Sequence, residues 1–133
     1  MKTDSEHVDL LADTALFSRL SRRSLETVAK LAREMNHDPG DVVVTEGDRA
    51  HGLQLIIEGT AEVSIGGQPV AELGPGDSFG EIALLDSGPR TATVTAKTPM
   101  RVLAISGAGF RDVLRSDNDL ATGVIDHLVD LPR

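Results

Sequence analysis

The sequence predicts an α+β fold, an eight-stranded antiparallel β jelly roll or barrel flanked by N-terminal and C-terminal helices. Three observations carry that expectation. Apolar residues recur at helical spacing before residue 36 and again after residue 105. Between those stretches the period shortens, and short apolar runs are cut by glycine at nearly every turn. Finally, 133 residues with 40% hydrophobic and 26% charged side chains suit one ordinary domain with a real core, spanning 1–133.

The elements follow in order. Residues 4–35 read as helices. Asp4 or Ser5 caps the first, with Val8, Leu11, Ala12 and Ala15 on one face. Residues 16–20 interrupt it. Ser21 then caps a second helix, whose stripe is Leu25, Val28, Ala29, Ala32 and Met35. Residues 36–105 read as strands. Pro39-Gly40 turns into a strand over 41–46, which Gly47-Asp48 stops. Residues 53–57 and 61–65 give two more, and Gly66-Gly67 signals a hairpin back into 70–73. A turn at 74–77 leads to Phe79. Strands resume over 93–97 and 101–105, with Pro99 between them. Residues 106–131 return to helix. Ser106 is the cap, Phe110, Val113 and Leu114 form one face, and Leu120, Val124, Leu128 and Leu131 form the last. Gly123 weakens that last helix by roughly 1 kcal/mol against alanine.

One stretch departs from the strand pattern, residues 79–94. Gly80 has no Cβ and allows a close approach of backbone to a ligand. Residues 81–85 can form one helical turn, whose free amides make a small anion site. Ser87-Gly88-Pro89 ends that turn, and Arg90 follows, fixed by the strand after it. A guanidinium binds two oxygens of a phosphate at once, and Glu81 can accept a hydrogen bond from a hydroxyl. One acceptor and one cationic fork suit a ribose joined to a phosphate. Taken alone, Arg90 is equally an ordinary loop arginine and Glu81 a carboxylate that offsets a helix dipole.

Gly80-Glu81-Ile82-Ala83-Leu84, a spacer, and Arg90-Thr91-Ala92-Thr93-Val94 resemble the phosphate-binding cassette of cyclic nucleotide-binding domains. That family includes the regulatory subunits of cyclic-AMP-dependent protein kinase, the bacterial catabolite activator protein and cyclic-nucleotide-gated channels. The resemblance extends more loosely over residues 16–131. It implies that Arg90 binds the cyclic phosphate and Glu81 the ribose 2′-hydroxyl. It also implies that Gly80 passes close to the sugar, that the Ala83 and Thr91 amides face phosphate oxygens, and that Ile82 and Ala92 complete the ligand site. Leu84 and Phe110 match an apolar hinge pair that couples cassette to helix, and the terminal helices move when ligand binds. A threonine at Thr91 is associated with guanine recognition in eukaryotic members, yet bacterial cyclic-AMP receptors also tolerate a hydroxyl there, so Thr91 leaves the base open.

Other chemistries are argued against by what the chain lacks. Without cysteine there are no disulfides and no thiolate metal sites. His7, His37, His51 and His127 lie far apart, without the His-x-His pairing of a metal-binding cupin, and no serine sits in a nucleophile elbow. No metal, no cofactor and no catalytic residue is expected. The net charge of −8 with scattered basic residues disfavours nucleic acid. No apolar run is long enough for a membrane span and no signal-peptide pattern opens the chain, so the expected compartment is the cytoplasm. The expected function is a non-enzymatic sensor that binds a cyclic nucleotide, cyclic AMP before cyclic GMP, and passes occupancy on to a protein partner or effector domain. The alternative is a degenerate jelly-roll module for protein–protein contact that binds no nucleotide. The chain is expected to be either a stand-alone module or one domain of a longer protein.

Overall fold

Ser21 and Ser106 open two helices, as the sequence predicts. The Ser21 hydroxyl accepts a hydrogen bond from the Ser24 amide at 3.2 Å, and helix α2 runs over Arg22–Leu31. The Ser106 hydroxyl accepts from the Gly109 amide at 3.4 Å, and α3 runs over Gly107–Ser116. Each bond satisfies an amide that a helix start leaves without an intrahelical partner. Helix α1 covers Asp4–Ala12 and α4 covers Asn118–Val129, the latter capped by Asp117, whose carboxylate accepts from the Leu120 amide at 3.0 Å. The structure is a computed structural model that describes residues 4–14, 17–49, 51–80 and 89–129.

Eight strands lie among the described residues: β1 Ala32–His37, β2 Val42–Val44, β3 Gly52–Glu58, β4 Ala61–Ile65, β5 Gln68–Leu73, β6 Ser78–Phe79, β7 Thr93–Ala96 and β8 Met100–Ser106. They form two antiparallel sheets, ordered β1-β8-β3-β6 and β2-β7-β4-β5. Strands from the first half of the series thus alternate with strands from the second half, the crossed order of a jelly roll. The Gly66-Gly67 hairpin forms as expected, with φ of 58° and 81° at its two central residues, values that glycine reaches without strain.

Two expectations need correction. The barrel is not closed. β1 and β6 are the edges of one sheet and β2 and β5 of the other, and no strand ladder joins the two sheets among the described residues. β6, two residues long, ends before it can extend that edge. The second helix also stops short of Met35. It ends at Leu31, and Ala32–His37 is a strand with six residues paired to β8, from Ala32 opposite Ile105 to His37 opposite Met100. Ala32, Arg33, Glu34 and Met35 favour helix on their own, but pairing along a whole central strand outweighs a propensity difference of a few tenths of a kcal/mol per residue.

Each face of the β1-β8-β3-β6 sheet covers its own core. On one face Leu53, Leu55, Leu103 and Ile105 pack under the helices with Val8, Leu11, Phe17, Val28 and Phe110. On the other, Ile56, Met100 and Val102 meet Ala61, Val94 and Ala96 of the second sheet. The alternation along β3, with Leu53 and Leu55 on one side and Ile56 on the other, follows from the two-residue period of a strand. A polar tie fastens α1 to the sheet. The His7 Nε2 lies 3.0 Å from Glu34 Oε2, and Arg101 lies 3.6 Å from the same carboxylate and 2.5 Å from that of Glu58. Gly123 explains why the last helix tolerates a glycine. It is buried against the Leu20 side chain, which a Cβ would overlap, so the propensity lost is exchanged for close packing.

Candidate functional site

β6 brings the chain to Gly80, and there the strand must stop. Gly80 has φ of +86°, a backbone conformation that side chains with a Cβ rarely adopt. Its bare Cα faces two groups. A Cβ placed there would overlap the Gly52 carbonyl oxygen and sit 2.5 Å from Arg90 Nη1. The sequence assigned Gly80 to the approach of a ligand; the group that it makes room for among the described residues is the guanidinium of Arg90. Gly80→Ala is therefore expected to lose about 1–3 kcal/mol of stability from backbone strain and to displace Arg90 as well. Denaturant unfolding measures the first effect, and an unchanged midpoint would mean the seat is looser than these distances describe.

Arg90 is held at both backbone groups. Its amide donates to the Asp48 carbonyl at 2.7 Å, and its own carbonyl accepts from the Gly47 amide at 2.9 Å. Pro89 pairs with Arg49 as an isolated bridge. The turn at Gly47–Arg49 thus fixes where the arginine leaves the chain. Its side chain then reaches across to β3, where Nη2 donates to the Gly52 carbonyl at 2.9 Å. Half-buried, the guanidinium loses hydration, and this pulls its pKa below the ordinary arginine value. Arginine nevertheless remains protonated in proteins, so the site keeps a fixed, partly desolvated cation.

Beside it opens a cavity of about 770 Å³, walled by Val43 and Val44 of β2, by Gly52 and Gln54 of β3, and by Arg33 and Arg90. Arg49 lines it too, and Asp48 is the acidic residue in the lining among the described residues. Arginines therefore gather on one cavity of a chain whose net charge is −8. Such a pocket has the size and mixed lining of a small-molecule site, and its local sign suits an anion against the average field.

Of the residues singled out in the sequence, the structure brings Gly80 and Arg90 into direct contact. Thr91 follows Arg90 and is exposed, while Ala92 is half-buried where the chain enters β7. Phe110 is elsewhere, in the core beneath the helices with its ring 5.9 Å from that of Phe17. Glu81, Ile82, Ala83 and Leu84 lie outside the described residues, and with them the helical turn, the ribose acceptor and the partner of Phe110 in the hinge pair. Sequence reasoning gave Gly52, Asp48 and Thr93 no part in holding Arg90. The Thr93 hydroxyl accepts from the Glu46 amide at 3.0 Å and ties β7 to the end of β2, just before the turn that holds Arg90. Spacing could not have found them, because all three act across strands. His7 pairs with Glu34, and His37 Nε2 lies 3.2 Å from Gln54 Oε1. Among the described residues no group of three His, Asp or Glu could hold a metal ion, and no helix is long and apolar enough to cross a membrane.

The family model of the cyclic nucleotide-binding domain matches residues 34–117, which include most of β1, strands β2 to β8, the Gly80–Arg90 contact and α3. A cAMP-dependent protein kinase regulatory subunit of Yarrowia lipolytica is 37% identical over 120 residues, covering 89% of this chain and 30% of the relative. The chain spans about a third of the length of the curated relatives it matches. Among solved structures, the N-terminal domain of a transcriptional regulator from Streptomyces coelicolor A3(2) superposes with a TM-score of 0.84 at 28% identity, covering 91% of this chain and 90% of that one. The regulatory domain of Toxoplasma gondii PKA, co-crystallised with cAMP, superposes with a TM-score of 0.76 at 29% identity, covering 84% of this chain and 46% of that one.

Proposed function

This chain belongs to the cyclic nucleotide-binding domain family, and on that premise we propose that it is a sensor that binds cyclic AMP in preference to cyclic GMP and reports occupancy through its flanking helices. The observation that carries the reading is the seat of Arg90. A half-buried guanidinium is fixed at its backbone by the Gly47–Arg49 turn and at its tip by Gly52 and Gly80, beside a cavity of about 770 Å³. In this reading Arg90 takes the cyclic phosphate bidentately, and Glu81 accepts from the ribose 2′-hydroxyl. The amides of Ala83 and Thr91 face the phosphate oxygens, Gly80 passes close to the sugar, and Ile82 and Ala92 line the site. Leu84 and Phe110 link the cassette to the helices.

The proposed mechanism is a shift of population between two arrangements of the cassette and the terminal helices, driven by the difference in affinity of the ligand for the two. The similarity to kinase regulatory subunits supports a protein partner as the reader of that shift, and a kinase catalytic subunit is the first candidate. The proposal includes no catalytic step and no cofactor.

Calorimetric titration with both cyclic nucleotides tests the reading, and thermal unfolding gives an independent measure. A ligand that binds only the folded form stabilises it by about 2.7 kcal/mol at a hundredfold excess over Kd. At roughly 3–5 °C per kcal/mol for a chain of this length, Tm should rise by roughly 10 °C. Linear 5′-AMP, whose phosphate is dianionic and open, should shift it far less. No shift with either cyclic nucleotide at millimolar concentration would replace the sensor by a module for protein–protein contact.

A further inference from the structure

Gly52 stands where two parts of the molecule meet. It opens β3 and lies beyond the end of β6, which pairs with β3 at Gln54 and Leu55. Among the described residues its carbonyl on that edge is met by the Arg90 guanidinium, at 2.9 Å. The preceding carbonyl, that of His51, points to the opposite edge, as successive carbonyls of a strand do. There it accepts the amide of Gly107, the first residue of α3, at 2.8 Å. Gly52 itself is clamped, because a Cβ would overlap the Ile105 carbonyl oxygen and lie 3.0 Å from the Gly107 nitrogen. The two peptide groups that meet at its Cα therefore have little room to tilt independently.

We propose that Gly52 with the peptide group on either side of it is a lever, with the N-terminus of α3 on the carbonyl of the first peptide and Arg90 on that of the second, so that whether Arg90 holds the Gly52 carbonyl is felt at Gly107. The use of the lever by a ligand rests on the function proposed above. A phosphate is a charged acceptor and makes roughly twice as strong a hydrogen bond to a guanidinium as a neutral carbonyl does. Bound phosphate draws Arg90 off Gly52, the start of β3 relaxes, and the His51–Gly107 bond lengthens. This route runs through backbone at the beginning of α3 and is separate from any contact of the Phe110 ring. It makes Gly52 a positioning residue for Arg90 and assigns Gly107 as the first reporter of occupancy in the helices.

Backbone amide NMR of the whole chain tests the lever. In free Arg90→Ala the Gly107 amide should exchange about threefold to tenfold faster than in the parent, the loss expected from one net hydrogen bond, and its proton should move upfield. Arg90→Met, which keeps an apolar stem of similar length, serves if the alanine variant folds poorly and should behave the same. Arg90→Lys, which keeps a donor, should stay near the parent. Cyclic AMP added to the parent should move the Gly107 proton in the direction that free Arg90→Ala shows. A Gly107 amide unchanged in both neutral variants, each with native-like dispersion elsewhere, overturns the lever. A ligand-induced movement of opposite sign overturns its use by ligand. If cyclic nucleotide moves no resonance of the parent, the proposed function fails, while the free variants still decide the lever.

Discussion

Arg90→Ala should weaken cyclic nucleotide binding by about a hundredfold or more. The phosphate approaches a chain with a net charge of −8 and must be desolvated on entry. A half-buried guanidinium beside the cavity offsets that cost. A hydrogen bond to a charged group contributes roughly 1.5–3 kcal/mol, a guanidinium can make two to one phosphate, and each 1.4 kcal/mol is about tenfold in Kd. Arg90→Lys should recover part of the loss, because a point charge does not span two oxygens. The structure adds a control that the sequence did not suggest. Arg33 lines the same cavity from β1, so Arg33→Ala shows whether the phosphate sits against that wall instead. Titration of the three variants at one fixed salt concentration decides. Binding by Arg90→Ala within about threefold of the parent, well under 1 kcal/mol, moves the phosphate off Arg90.

What the sequence made legible was local. Ser21 and Ser106 cap helices because a hydroxyl before an apolar stripe has one obvious use, and both were placed correctly. Gly66-Gly67 specified a hairpin through the positive φ that its turn demands. What could not be read was decided across the sheets. Residues 32–37 carry helical spacing up to Met35, yet β8 takes them as a partner strand. One of the edges that leave the barrel open is β6, which stops after two residues, at a glycine that faces Arg90. The site divides the same way. Arg90 and Gly80 stood out within one contiguous stretch. Gly52 lies 38 residues from Arg90 and carries no chemistry of its own beyond a carbonyl, so no pattern marks it. Gly123 was read as a weak point in a helix and is a packing contact with Leu20, which only the third dimension supplies.

Phe110→Ala should be the most damaging single change to stability among those considered. Phe110 is 0% exposed and packs with Phe17, also 0% exposed, at a ring separation of 5.9 Å and an interplanar angle of 59°. That tilted geometry is one aromatic pairs favour. The same cluster contains Leu25 and Val28 of α2, Leu53 and Ile105 of the sheet, and Leu120 of α4, so the ring joins three helices to one sheet face. Truncating a buried phenylalanine to alanine costs about 3–5 kcal/mol, out of the roughly 5–15 kcal/mol by which domains are stable. At roughly 3–5 °C per kcal/mol for this length, Tm should fall by 10 °C or more. This bears on the hinge assigned to Leu84 and Phe110. A variant that loosens the whole helical core cannot report on coupling alone, because faster exchange in α3 and α4 would follow from lost packing whether or not ligand is bound. Phe110→Leu retains most of the apolar volume and is the better probe. It should cost clearly less than the alanine variant and still remove the ring. Chemical unfolding of both variants measures the difference. A loss below about 1 kcal/mol for Phe110→Ala, far under the usual cost of such a cavity, would mean that Phe110 does not sit in this core and that the helices are held on the sheet by other contacts.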